Sequence, residues 1–239
     1  MDFIICFIDD SDFEHELVRD EIAPRAEGMK FVQAYTFDEA RRLLGKRIPV
    51  IFLLDLWGQD PEVSNPAIPP IGDLEKRVSR IKSLGEVYKD LDSFEGDRVN
   101  EYLRRLFSIV EAWRSIFRES ADLAGQNRKY GLENLRRARE HYPGVPAVFY
   151  TRKSMIDDAV ELFKAGADGL FIKPTGQDDR ETRELTRESA PSLIGSLSRT
   201  IDLNFGKLQG TSDPASAIGE KESQSLRDLI KAWKEFRNN

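Results

Sequence analysis

Val50-Ile51-Phe52-Leu53-Leu54-Asp55 runs five apolar residues into a single acid. A short, unbroken apolar run followed by turn-like sequence reads as a strand buried on both faces, the kind found in a parallel sheet covered by helices. An acid at the C-terminal end of such a strand lies where open α/β sheets place their chemistry. Asp55 is therefore the first candidate reacting residue. A turn or helix-cap acid is the other reading of the same position, and the rest of the chain decides between them.

On the N-terminal side, Phe3-Ile4-Ile5-Cys6-Phe7-Ile8 is a second buried-strand run, and it too ends in acids, Asp9 and Asp10. Three carboxylates at one sheet edge repel one another unless a cation neutralises them, and Mg²⁺ is the cation that favours few, hard oxygen ligands. An acidic turn capping the next helix through Ser11 or Asp12 is the competing reading. A helix over 13–22 follows, interrupted at Ala23-Pro24, then a weaker strand over 29–34. Thr36 and Glu39 have capping-box spacing for a helix over 37–44, which Gly45 ends. The order β-α-β-α-β builds half of a doubly wound sheet when crossovers are right-handed.

On the C-terminal side the pattern breaks and later resumes. Pro61, Pro66, Pro69 and Pro70 mark a loop. Helical spacing then runs over 73–91 and 97–121. In the second stretch Val99, Leu103, Leu106, Val110, Trp113 and Phe117 alternate steps of four and three, widened by Tyr102, Ile109 and Ile116. That is a coiled-coil-like seam on one arm of a helical hairpin. It serves either a lid packed within the monomer or a surface for a second chain or partner. The sheet pattern resumes with a helix from Gly131, closed by His141-Tyr142-Pro143-Gly144, and a strand over 146–150 ending in Thr151. Ser154 caps a helix over 155–165, Gly166 ends it, and a strand over 169–172 ends in Lys173-Pro174. Pro191, preceded by Ser189, suits the first turn of a further helix. Residues 206–219 read as a loop, and Leu226, Leu229, Ile230, Trp233 and Phe236 make one face of a final helix, placed to cover the hairpin or to meet a second chain.

Composition limits the alternatives. A net charge of -6 argues against a nucleic-acid coat, and one cysteine, Cys6, rules out a disulfide within the chain. Two distant histidines exclude a histidine-rich metal site. The N-terminus has no basic segment and no apolar run approaches about 18 residues, so a cytoplasmic protein without signal peptide or membrane span is expected.

The acid pair Asp9-Asp10, then Asp55, Thr151 and Lys173-Pro174, each at a strand end and in this order, resemble the receiver domain of two-component response regulators. The resemblance implies an α/β fold: a doubly wound, flavodoxin-like sheet of five parallel strands in the order 2-1-3-4-5, with an inserted helical hairpin and a C-terminal helical extension. The receiver-like part covers 1–57 and 130–205, the inserted loop and hairpin 58–129, and a linker and helix 206–239. It further implies that Asp55 accepts a phosphoryl group from a histidine kinase or phosphotransfer protein. Asp9, Asp10, Asp55 and the backbone carbonyl of Trp57 would place Mg²⁺, and Thr151 and Lys173 would contact the phosphoryl oxygens. Output would pass through contacts with a downstream protein, in a monomer or in a homodimer formed through the insertion or the C-terminal helix.

The chain departs from the family in two places. About 70 residues are inserted just beyond Trp57, where the proline-rich loop could shield the acyl phosphate or bar a kinase. Leu170 stands where the family has its switch aromatic, with Phe171 beside it and Tyr150 the other candidate for that role. Two further functions therefore stay open: a receiver-like scaffold that binds a partner through the insertion without phosphotransfer, and a Mg²⁺-dependent phosphatase. The phosphatase lacks its second acid, because Trp57 occupies that place. A receiver would turn over only its own acyl phosphate.

Overall fold

The computed structural model describes residues 3–59, 63, 65–152, 156–210 and 220–238. Their contacts divide the chain into two compact units, Met1–Gly58 with Arg128–Asn239, and Gln59–Asn127.

The first unit begins with β1 (Phe3–Ile8), whose six residues are all buried. α1 (Asp12–Leu17) continues through a π-helical turn over Val18–Ile22 and a 3₁₀ turn over Ala23–Arg25, which contains Pro24. β2 (Met29–Ala34) and α2 (Phe37–Leu44) follow. Thr36 accepts the Glu39 amide as expected, but the reciprocal arm reaches one residue further back, to the Tyr35 amide. β3 (Ile51–Leu54) precedes a short β4 (Gly58–Gln59), at which the chain passes from the first unit into the second.

In the second unit, the arm expected as one helix over 73–91 is two short helices, α3 (Ile71–Val78) and α4 (Leu84–Tyr88). The break has a local cause: Ser83 starts a new helix with a full capping box to Glu86. α5 (Arg98–Leu123) is long and continuous, capped by Asp97, whose carboxylate accepts from the Val99 and Asn100 amides. β5 (Gln126–Asn127) pairs with β4.

Back in the first unit come α6 (Lys129–His141), β6 (Ala147–Thr151), α7 (Ile156–Lys164), β7 (Gly169–Ile172), α8 (Asp179–Gly210) and α9 (Glu220–Asn238). Ser154 and Met155, expected to open α7, lie outside the described residues. All strand pairs of the main sheet are parallel, in the order β2-β1-β3-β6-β7. Counting only these five strands, that is the expected 2-1-3-4-5. The register sets Ile8 beside Leu54, Leu54 beside Phe149 and Thr151 beside Ile172. One row of strand ends thus carries Asp9, Asp55, Thr151 and Lys173 at the same edge.

Two C-terminal expectations change. α8 does not start at Pro191 but at Asp179, and passes through the proline. Thr182, Thr186, Ala190, Leu193, Leu197, Ile201 and Phe205 are all buried at steps of four and three, so one apolar stripe spans the whole helix. Its burial outweighs the roughly 3 kcal/mol that an interior proline costs. The expected loop at Gly206 is instead the last turn of α8, while 211–219 lie outside the described residues. The apolar face of α9 is used within its own unit. Trp233 meets Phe3 edge-on at 5.0 Å and donates its indole N–H to Asp202 Oδ1 at 2.7 Å. Phe236 lies over Gly28, where a Cβ would come within 2.4 Å of the ring.

Candidate functional site

At the C-terminal edge of the sheet, β7 delivers Lys173 into a nest of acids. Its ammonium donates to Asp9 Oδ2 at 2.5 Å and to Asp55 Oδ1 at 2.9 Å. The remaining oxygens are also engaged: Asp9 Oδ1 accepts the Ser11 amide at 3.0 Å, and Asp55 Oδ2 accepts the Trp57 amide at 3.1 Å. The Thr151 hydroxyl hydrogen-bonds the Asp55 carboxylate. Asp9, Asp55, Thr151 and Lys173 are buried, and Asp10 is half-buried. Each of Asp9, Asp10 and Asp55 offers a carboxylate oxygen within 4.8 Å of the others. All five polar side chains singled out in the sequence thus meet in one place. Trp57 is buried beside them and turns its amide toward Asp55. The loop beyond Trp57, expected to shield the site, includes 60–62 and 64, which lie outside the described residues.

The electrostatics follow from burial and from the number of charges. Burial pushes the Asp9 carboxyl up to about 7, with Asp55 and Glu14 adding to the shift and Lys173 opposing it. Burial likewise raises Asp55, against the pull of Lys173 and Thr151, and Asp10 raises it further. For Lys173, burial acts to remove the proton, but Asp55, Asp9 and Glu14 together hold it above the usual lysine value. One ammonium therefore serves more carboxylates than it can neutralise. This excess of negative charge on hard oxygen donors suits a small divalent cation held by Asp9, Asp10 and Asp55.

Four other residues complete the site and were not singled out in the sequence. Glu14, one turn into α1, accepts Arg152 Nε at 2.6 Å and lies 3.6 Å from the Lys173 ammonium. Arg152, next to Thr151, also donates to the Pro174 carbonyl and to Thr175 Oγ1, so it ties the ends of β6 and β7 to α1. His15 holds the Asp9 backbone. Its Nε2 is 2.9 Å from the Asp9 carbonyl, which can only accept, so that nitrogen carries the proton. Tyr130 packs over Gly58, where a Cβ would lie 2.4 Å from its ring, and donates to the Tyr35 carbonyl at 2.7 Å. Burial, then Asp9, Asp10 and Asp55, raise the Tyr130 phenol. Helical spacing from Asp10 could have drawn attention to Glu14; nothing in the sequence marks Tyr130.

Tyr150 rather than an aromatic on β7 lies under the lysine. The Lys173 ammonium is 5.7 Å from the Tyr150 ring and 6.0 Å from the Phe7 ring. Leu170 and Phe171 are half-buried on β7.

No protein-family model and no curated protein matches the chain. Among solved structures, similar chains include the response regulator domain of Thermotoga maritima CheB (14% identity, 84% of this chain and 98% of that one, TM-score 0.46). A CheY-like response regulator receiver domain protein from Methanospirillum hungatei JF-1 is 15% identical over 82% of this chain and 99% of that one, with a TM-score of 0.37. A BeF3-activated DrrB receiver domain is 13% identical over 84% and 99%, with a TM-score of 0.41.

Proposed function

We propose that this chain is a phosphoacceptor of the receiver type, with Asp55 as the accepting residue. The observation that carries this reading is the convergence of Lys173, Thr151 and the Asp9–Asp10–Asp55 group on one carboxylate at the C-terminal edge of the sheet.

In the reaction, an Asp55 carboxylate oxygen attacks the phosphorus of a phosphohistidine on a histidine kinase or phosphotransfer protein. The new P–O bond forms as the P–N bond breaks, and the electron pair leaves with the imidazole. Lys173, already 2.9 Å from Asp55 Oδ1, follows the negative charge from the carboxylate to a phosphoryl oxygen. Thr151 donates its hydroxyl to another. Asp9, Asp10, Asp55 and the Trp57 carbonyl would hold Mg²⁺, which supplies charge neutralisation and alignment when bound. Most of the catalytic contribution is then positioning in a buried site. Turnover is limited to hydrolysis of the protein's own acyl phosphate. Output passes to a downstream protein. A cytoplasmic setting accords with the absence, among the described residues, of any helix long and apolar enough to cross a membrane.

Intact-mass measurement after incubation with acetyl phosphate and Mg²⁺ tests this reading. The wild type should gain one phosphoryl group, and Asp55→Asn should gain none. A folded wild type that gains no mass overturns it. If Asp55→Asn then binds the same partners as wild type, the protein acts as a receiver-like scaffold.

A further inference from the structure

α5 carries apolar residues on two sides, and among the described residues one side is covered more fully than the other. Toward α3 and α4 it places Glu101, Arg105, Ile109, Ile116 and Glu119. Arg105 donates to the carbonyls of Val87 and Lys89, Glu119 pairs with Arg77, and Tyr102 packs in a tilted arrangement on Tyr88 at 5.3 Å. Of the seam read from the sequence, Val99, Leu103, Val110 and Trp113 are exposed on the other side, where Phe107 joins them, while Leu106 and Phe117 are half-buried. Val99 is 68% exposed, Leu103 38%, Phe107 62%, Val110 44% and Trp113 49%. At 3.6 residues per turn these five fall within about a third of the helix circumference and run about 21 Å along it.

We infer that this stripe is a homodimer interface in which α5 of one copy packs antiparallel on α5 of a second copy. Three observations select that occupant. The first is spacing. Val99, Leu103, Val110 and Trp113 stand at steps of four, seven and three, the 3.5-residue period that another helix of the same kind matches. The second is size. The stripe is slender at its N-terminal end, Val99 and Leu103, and bulky at its C-terminal end, Trp113. An antiparallel two-fold sets Leu103 against Trp113, small against large, as close packing requires. A parallel pairing would stack Trp113 on Trp113 and leave Val99 facing Val99 across a gap. It would also bring Arg114 alongside its own copy. The third is area. With aromatic side chains of about 150–250 Å², the five exposures leave on the order of 450 Å² per copy. Two copies supply roughly 900 Å² before the half-buried Leu106 and the flanking polar stems are added, which approaches the ~1,200 Å² at which specific interfaces begin. The interface should therefore be a modest one, forming in the micromolar range. It does not depend on the role assigned to Asp55.

Sedimentation velocity on the full chain, without phosphodonor, is the test. Wild type should shift from monomer to dimer across micromolar concentrations. Val110→Asp should weaken association at least about tenfold, the equivalent of 1.4 kcal/mol, with an unchanged far-UV spectrum because the position is exposed. Cysteine pairs give a second, orientation-specific readout, since the native Cys6 is buried. The double variant Leu103→Cys/Trp113→Cys should form a disulfide-linked dimer under mild oxidant, and Leu103→Cys alone should not. A chain that stays monomeric throughout, a Val110→Asp variant that associates like wild type, or crosslinking by Leu103→Cys alone would each overturn the inference.

Discussion

Asp9 offers the sharpest quantitative handle on the site. Its carboxyl is raised from the model-compound value of 3.8 to about 7 when the protein is folded. The folded state therefore binds this proton more tightly than the unfolded state does. The resulting stability is fully present below about pH 3.8 and is lost as the pH rises through about 7. Lys173 adds no slope in this window, because it stays protonated in both states; Asp55, also raised, adds slope of the same sign. For Asp9 alone, linkage gives a loss of about 2–3 kcal/mol between about pH 5 and about pH 8. The assay is urea denaturation in chelator-treated buffer at unit pH steps, with the m-value checked for constancy. Asp9→Asn should flatten the profile. Saturating Mg²⁺ should flatten it from the other end, by stabilising the ionised form at high pH by about 2.7 kcal/mol at a hundredfold excess over its dissociation constant. Stability that is level or rising from pH 5 to 8 in the metal-free wild type, or an Asp9→Asn profile as steep as wild type, refutes the account of a carboxylate-rich pocket short of positive charge.

Three further substitutions probe how the pocket is held. Gly131→Ala would place a Cβ 2.5 Å from the Asp55 carbonyl and 2.6 Å from Leu56 Cα; it should cost about 1–3 kcal/mol by overpacking, and slow phosphorylation of Asp55 by acetyl phosphate. Trp233→Ala removes the edge-on contact with Phe3 and the bond to Asp202, and should cost about 3–5 kcal/mol in urea denaturation, leaving mass gain from acetyl phosphate intact at low temperature. Arg152→Met leaves the buried Glu14 carboxylate, among the described residues, with Lys173 3.6 Å away; it should destabilise by about 1–3 kcal/mol, and adding Glu14→Gln should recover much of that loss, which a double-mutant cycle measures.

The parts of the site legible in the sequence are those that strand register places. In a parallel sheet with one-residue steps between neighbouring strand ends, the residue after each apolar run must reach the same edge. Asp9, Asp55, Thr151 and Lys173 were therefore readable from four apolar runs and their last residues. Glu14, His15, Arg152 and Tyr130 arrive by other routes: one turn of α1, the loop after β6, and the first turn of α6. Their positions depend on helix docking, which leaves no local mark. α8 shows the opposite error. Pro191 is a strong local signal for a helix start, yet a stripe of seven buried residues from Thr182 to Phe205 carries the helix through it. Local chemistry decided between readings only where no long-range burial competed with it.

The insertion poses the same problem in a form that period alone cannot resolve. α5 contains two apolar series, the seam from Val99 to Phe117 and the heptad-spaced Tyr102, Ile109 and Ile116. Both have the regularity of a packed face. The second is the one covered within the chain, with Ile109 buried and Tyr102 tilted against Tyr88, because the short helices α3 and α4 can span only one side. A helix of 26 residues packed against helices of eight and five cannot bury both. An amphipathic helix with one partner needs one stripe; a second stripe of Val, Leu, Phe and Trp would lower solubility unless something covers it. The excess of apolar surface on α5 is thus an argument from economy as well as from spacing, and it makes association through the insertion a property to be measured before any effect of phosphorylation on it is sought.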